Sequence, residues 1–314
     1  MLNIEELANY INVDNIPNDW ILYYDEAIET FNDNWLSDIE FNNIINFYEF
    51  DDIFKNKFRD LWDLANNDIN LNFLVYLWYY ILYIVSPKEH NKWDFKLSYF
   101  KSHGSLYMPM VAMLMGYKIH EKVMLNYDEE QINIQKKTIR DTCESDFLVY
   151  GISGMRFSNM EWGSRFIRGE IVQIGILQYE LKRKYLDDED VIFIHIPRSN
   201  SFTKDNIDKS LDNKNKVFDY FNVSKNIKFV TYTWLLSPEL KQILNSDSNI
   251  IYFQSKFDLI YTKENKKDFL KFIFKEPFDV DDYNTLEESN SLQKYIKNKL
   301  ISEEKLHIGL GILK

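Results

Sequence analysis

Apolar residues recur every three to four positions in stretches of the first 125 residues and alternate over residues 168–182, after which short apolar runs and helical stretches follow one another. The chain therefore predicts a helical part followed by a part built on strands. Trp20, Ile21, Tyr24, Ile28 and Phe31 share a helical face behind Pro17, whose fixed φ suits a first turn. Phe54, Phe58, Leu61, Trp62 and Ala65 mark another helix, with Asp51 and Asp52 placed to cap and charge its start. Residues 71–85 are apolar on all sides and predict a central buried helix. Asn70 precedes it, and Ser86-Pro87 ends it because the residue before a proline avoids the α region. Residues 105–124 read as a methionine-rich helix with Pro109 in its first turn, and 126–150 as an amphipathic connecting helix. The domain boundary is placed near residue 140, giving a helical domain 1–140 and a mixed domain 141–314.

In the second domain, residues 168–182 alternate and are rich in Ile, Val and Tyr, as one strand or as two meeting near Gly175. An acidic turn, 187–190, leads into a strand at 191–196, a polar loop at 198–204 and a helix from about Asp205. Ile207, Leu211, Phe218 and Phe221 are the candidate inner face of that helix. Further strands are expected at 228–234, 249–261 and 307–313. Ser237-Pro238 opens a short helix, Thr285 caps a helix to residue 300, and 269–278 is apolar and fits either type. Strands alternating with helices predict a mixed sheet, and the whole chain is of the α+β class.

Composition narrows the function. A chain of 314 residues can hold two cores, and 16% aromatic residues predict a thick core or a deep groove. A net charge of −12 repels a polyanion, so nucleic acid is not an expected partner. The basic triplet Lys182-Arg183-Lys184 reads as a solvated strand end. The single cysteine, Cys143, excludes an intrachain disulfide, and its acidic neighbours Asp141 and Glu144 raise a thiol pKa, which makes it structural. Five scattered histidines lack metal-ligand spacing, so no metal is expected. The first ten residues lack a signal peptide's basic and apolar regions, and the longest apolar run, 73–85, is shorter than the about 20 residues of a membrane span. A cytoplasmic protein without a membrane partner is expected.

The strand, polar loop and helix of residues 191–211 form a junction that can bind an anion, because the first N–H groups of a helix have no partners inside it. His195 falls near the C-terminal end of that strand, where ligands collect in α/β sheets. It reads as a general base, or as a buried histidine that orders the loop. Glu180, on the preceding strand, must face solvent, a cation or a site. Trp234, at the end of the next strand, is a core residue or a ligand platform.

Four stretches carry a resemblance: 165–181 (RFIRGEIVQIGILQYEL), 194–197 (IHIP) with Ser210, 233–238 (TWLLSP) and 248–257 (SNIIYFQSKF). With them the chain resembles bacterial acyltransferases that join a helical N-terminal (NAT-type) domain to a GNAT-like C-terminal domain. The resemblance implies coenzyme A as co-substrate. It assigns the pyrophosphate to the backbone amides of Ser199, Asn200 and Ser201, with charge from Arg198 or Lys204. It lays the pantetheine arm in a splay between strands 191–196 and 228–234, beside Trp234. The acyl group then passes directly from the acyl donor to an amine acceptor, with His195 or Glu180 as base. The loop has no glycine where the family carries a glycine-bearing phosphate pattern, and residues 237–244 lack the tyrosine that protonates the leaving thiolate. Tyr232 or Tyr220 is the candidate substitute. Two readings follow: an acyl-CoA-dependent N-acyltransferase, and a non-catalytic GNAT-like module whose aromatic groove binds a peptide, a sugar or another protein.

Overall fold

Side-chain caps set the helix starts of the first half. Asn3 with Glu6, and Ser37 with Glu40, form reciprocal capping boxes ahead of α1 (Ile4–Tyr10) and α3 (Asp38–Phe47), satisfying orphan amides at both ends of each exchange. The structure, a computed structural model, describes residues 2–11, 13, 15–85, 108–150, 160–197, 201–274, 280 and 282–314. It divides into two compact units, Met1–Gln173 and Ile174–Lys314, and residue 140 lies inside a helix of the first.

In the first unit, α2 (Asn18–Asn34) buries Trp20, Tyr24, Ala27 and Phe31. Ile21, expected on that face, is 60% exposed, because the true stripe runs through Ala27. Helix α4 (Asp52–Asn66) buries all five of its expected residues. The central helix α5 (Ile69–Tyr79) buries every residue from Leu71 to Tyr79 and continues as a π turn, Tyr80–Val85. Its cap is Asp68, accepting from the amides of Asn70 and Leu71. The expected stop at Ser86-Pro87 lies outside the described residues. Helix α6 (Met108–Met115) is buried throughout with Pro109 in its first turn, and Gly116 separates it from α7 (Tyr117–Met124). Helices α8 (Glu129–Tyr150) and α9 (Met160–Ile167) complete the unit. Trp62 sits between Phe41 and Trp35, with stacked ring centroids at 4.2 and 4.7 Å, and its Nε1 donates to Asp38 Oδ1 at 2.7 Å. Among the described residues no single helix is long and apolar enough to cross a membrane.

His120, on α7, is fully buried, with Nδ1 2.7 Å from the Tyr48 hydroxyl and Nε2 without a partner among the described residues. Burial pushes its pKa down to about 4. Unfolded, the ring titrates near 6.5. Between those values the unfolded chain binds a proton that the folded chain does not, so stability falls as pH falls from about 6.5 to 4, by up to about 3 kcal/mol. Urea unfolding at pH 7 and pH 4.5 is expected to show this loss in the wild type and not in His120→Gln. Parallel pH dependences in the two proteins would contradict it.

The second unit is built on a sheet. Among the described residues six strands form it in the order β1-β2-β3-β4-β6-β5. They are β1 (Ile171–Ile174), β2 (Leu177–Leu186), β3 (Glu189–His195), β4 (Lys228–Thr233), β5 (Phe257–Glu264) and β6 (His307–Leu313). β3 and β4 pair in parallel, and β2–β3, β4–β6 and β5–β6 are antiparallel, so the sheet is mixed as expected. The run 168–182 is two strands, turning at Gly175 with φ +66°. Asp187 and Asp188, at φ +51° and +63°, form the two-residue turn between β2 and β3, a conformation that matches strand twist. One sheet face is covered by α10 (Lys204–Asp212) and α11 (Lys214–Phe221), through contacts such as Tyr179 Oη to Ser210 O at 2.8 Å and Phe218 against Phe229 at 5.5 Å. On the other, α13 (Lys266–Phe269), a π turn (Leu270–Phe274) and α14 (Ser291–Ile301) build a core with Ile308, Tyr232 and Trp234.

Three expectations are corrected. Residues 249–261 are not one strand: α12 (Asn249–Ser255) precedes β5, because Ser248 caps the Ile250 amide and a turn of helix lets Phe253 pack on Phe202 and Phe257 at 5.5 and 4.8 Å. The helix from Asp205 breaks at Asn213, leaving Ile207 and Leu211 on α10 and Phe218 on α11. Asn290, accepting from Gln293 N at 2.9 Å, caps α14, while Thr285 ends a short 3-10 turn.

Candidate active site

The site arises where two parallel strands part. β3 and β4 keep register from Val191↔Lys228 to Phe193↔Val230 and then stop pairing. Beyond that point Thr231 Oγ1 donates to Ile194 O at 2.9 Å, a side chain taking the place of the ladder. A cavity of about 290 Å³ opens in the gap, lined by Ile196 and Pro197 after β3, Trp234 and Leu235 after β4, and Phe202 and Ile250 from one helix layer. Phe272, Ile273 and Leu292 close it from the other layer, and Asn290 is its polar group. Trp234 is partly buried, packs on Phe269 at 6.0 Å and lines the cavity.

The N-terminus of α10 stands beside this cavity. Thr203 caps it, its side chain accepting from Asn206 N at 3.3 Å and its carbonyl from Ile207 N at 2.9 Å. Of the expected phosphate loop, Arg198, Ser199 and Asn200 lie outside the described residues. Ser201 is exposed, and its carbonyl accepts from Thr203 N at 2.7 Å and Asn206 Nδ2 at 2.9 Å, which fixes the loop's exit. Lys204 Nζ lies 3.3 Å from Asp247 and 5.5 Å above the Tyr252 ring. Ser210, on the same helix, donates to Asn206 O at 2.7 Å and accepts from Ile176 N at 2.9 Å, so α10 is fastened to the β1–β2 turn.

His195 and Glu180 meet. His195 Nε2 is 2.7 Å from Glu180 Oε2, and Lys182 Nζ is 3.7 Å from the same oxygen. The register explains the contact. Glu180 faces Phe193 and Gln178 faces His195, so Glu180 and His195 are diagonal neighbours on one sheet face. A carboxylate only accepts, so Nε2 carries the proton and Nδ1 is the acceptor nitrogen. Tyr232 follows Val230 on the same face of β4. Burial first, then Tyr261, Tyr185 and Asp268 nearby, raise its pKa, which keeps it a proton donor at neutral pH. Tyr220 is buried in α11 with its ring 4.9 Å from Phe221, and does not line the cavity.

Two features escaped the sequence reading. Tyr252 is a tyrosine on the α-helix after β4, hidden because 249–261 read as a strand; its hydroxyl is bonded to Asp208 on α10. Ser237, Glu239 and His307 form a second polar cluster, with Ser237 Oγ to Glu239 Oε2 at 2.5 Å and His307 Nδ1 to Glu239 Oε1 at 2.6 Å. Burial pushes the Glu239 pKa up, but the bonds from Ser237 and His307 outweigh it and hold the group lowered. The serine bonds the carboxylate rather than the imidazole, so nothing activates it as a nucleophile. The cluster ties the turn after β4 to the start of β6. Among the described residues no His, Cys, Asp and Glu side chains group as metal ligands.

The described residues thus form a helical unit followed in the chain by a mixed sheet whose parallel pair, β3–β4, parts beyond Phe193. Residues 171–313 match the family model of the GNAT-like C-terminal domain. The whole chain has the fold of an acyltransferase mutant solved with octanoyl-CoA (15% identity, covering 100% of this chain and 99% of that one, TM-score 0.70). It is similar as well to an acyltransferase solved with decanoyl-CoA (16% identity, 99% of each chain, TM-score 0.68) and to one solved with decanoyl-CoA and teicoplanin (15% identity, 100% of this chain and 99% of that one, TM-score 0.69). No curated protein matches the sequence.

Proposed function

We propose that the protein is an acyltransferase that moves an acyl group from a coenzyme A thioester directly to an amine. The apolar cavity where β3 and β4 part carries this reading, together with the bonded His195–Glu180 pair on β3 and β2, which is not among its lining residues. Its lining suits the first part of an acyl chain, which needs burial of apolar surface and few polar partners. The first amides of α10, with Lys204, supply donors for the pyrophosphate; Ser199, Asn200, Ser201 and Arg198 are assigned to the same task from the resemblance. His195, held by Glu180, removes the proton from the attacking amine. The amine nitrogen bonds to the thioester carbon, the tetrahedral adduct collapses, the C–S bond breaks, and Tyr232 protonates the departing thiolate. The octanoyl- and decanoyl-CoA complexes of similar folds favour a medium-length donor, and the teicoplanin complex favours an amine on a small molecule as acceptor.

Calorimetry with acetyl-, octanoyl- and decanoyl-CoA tests the donor. Binding is expected, tighter for the longer chains. Ile250→Trp, which fills the cavity from its rim, is expected to weaken binding at least tenfold, about 1.4 kcal/mol, with an unchanged melting temperature. Absence of binding to every donor at millimolar concentration removes the reading.

A further inference from the structure

β5 ends the sheet. Among the described residues it pairs with β6 on one side and with no strand on the other. Natural edge strands are blunted with charge or proline, since a row of open N–H and C=O groups templates another strand. The middle of β5 is instead apolar and open, with Leu259, Ile260 and Tyr261 at 46%, 47% and 54% exposure.

The edge is self-complementary in its backbone. Lys314 N donates to Lys256 O at 3.0 Å, and Asn265 N donates to Leu306 O at 2.9 Å, so Lys256 and Asn265 are bonded residues at the two ends. In an antiparallel pair bonded residues alternate. Counting inward through the register, Asp258, Tyr261 and Lys263 turn their polar groups to β6, and Phe257, Leu259, Thr262 and Glu264 turn theirs outward. The register shift between Leu259 and Tyr261 moves the outward set from odd to even positions. A second copy laid antiparallel about a twofold between Ile260 and Tyr261 therefore sets Leu259 opposite Thr262 and Phe257 opposite Glu264, outward group against outward group. The same twofold places Asp258 opposite Lys263, twice, in the close non-bonded pairs, and Ile260 opposite Tyr261. Asp258 and Lys263 face Ile312 and Ile308, alternate residues of β6, so both side chains lie on one sheet face and can pair.

We propose that the protein is a homodimer in which β5 pairs with β5 of a second copy, joining two six-stranded sheets through an isologous edge. The test is the solution mass of the full chain, by light scattering and sedimentation from roughly 1 to 100 µM. The wild type is expected at twice the 37.9 kDa of one chain at the upper end. Lys263→Asp and Asp258→Lys each set like charges opposite at both ends of the pairing, and each is expected to halve the mass. The double swap, Asp258→Lys with Lys263→Asp, restores opposite charges and is expected to restore the dimer. Far-UV spectra confirm that all variants fold. A monomeric wild type overturns the proposal, as do single variants that stay dimeric or a double swap that stays monomeric.

Discussion

Glu180→Gln is expected to lower kcat/KM for acyl transfer by roughly a hundred- to ten-thousandfold while leaving the acyl-CoA dissociation constant within about twofold. The reason is the imidazole tautomer. Glu180 Oε2, 2.7 Å from His195 Nε2, accepts a proton held on that nitrogen and so fixes the tautomer of the ring. A glutamine offers an amide donor as well as an acceptor, so the ring loses its enforced tautomer, and the imidazolium formed on proton transfer loses its counter-charge. His195→Gln is expected to cost a similar factor. Because the two side chains act as one unit, the double variant is expected to be little worse than either single one. Donor binding is spared, because the cavity lining draws on Trp234, Leu235, Phe202 and Ile250, not on this pair. The measurement is steady-state transfer to an amine beside calorimetry with the same acyl-CoA. Unchanged turnover in both variants refutes the assignment. A wild type that binds donors but transfers to no amine favours the non-catalytic module.

That pair was only half legible in the sequence. His195 and Glu180 each stood out singly, one for its place at a strand end and the other as a carboxylate inside a strand. Their contact depends on the hairpin between them. A regular two-residue turn at Asp187-Asp188 sets Glu180 directly opposite His195; the irregularity between Lys182 and Leu186 moves the partner to Phe193. Since that shift is of two residues, the face is kept, and the carboxylate reaches the imidazole diagonally. Alternation revealed the strands themselves, and Gly175 marked the turn. The segment from Asn249 misled, because Ile, Ile, Tyr and Phe in a row favour strand while the Ser248 cap and the packing of Phe253 settle on helix. The cavity has no signature in periodicity, since it comes from two strands ceasing to pair.

Gly175→Ala is expected to destabilise the unit Ile174–Lys314 by about 3 kcal/mol, with about 1 kcal/mol from the left-handed backbone and the remainder from displaced hydrogen bonds. Gly175 holds φ at +66°, and a Cβ there would lie 2.2 Å from Ser210 Oγ and 3.1 Å from its Cα. Ser210 cannot yield cheaply. It is fully buried, its Oγ bridges Ile176 N at 2.9 Å and Asn206 O at 2.7 Å, and its carbonyl takes the Tyr179 hydroxyl at 2.8 Å. Relief therefore has to come from moving α10 away from the β1–β2 turn, and α10 is the helix whose N-terminus borders the cavity. Urea unfolding reads the stability loss, and calorimetry below the melting temperature is expected to read a weaker acyl-CoA affinity in the same variant. Adding Ser210→Gly removes the colliding side chain but not the backbone strain, so the double variant is expected to lose less than the two single losses combined, a coupling that a double-mutant cycle isolates. Additive losses would show that the turn and α10 are independent; coupling would show that this close approach positions the helix against the donor.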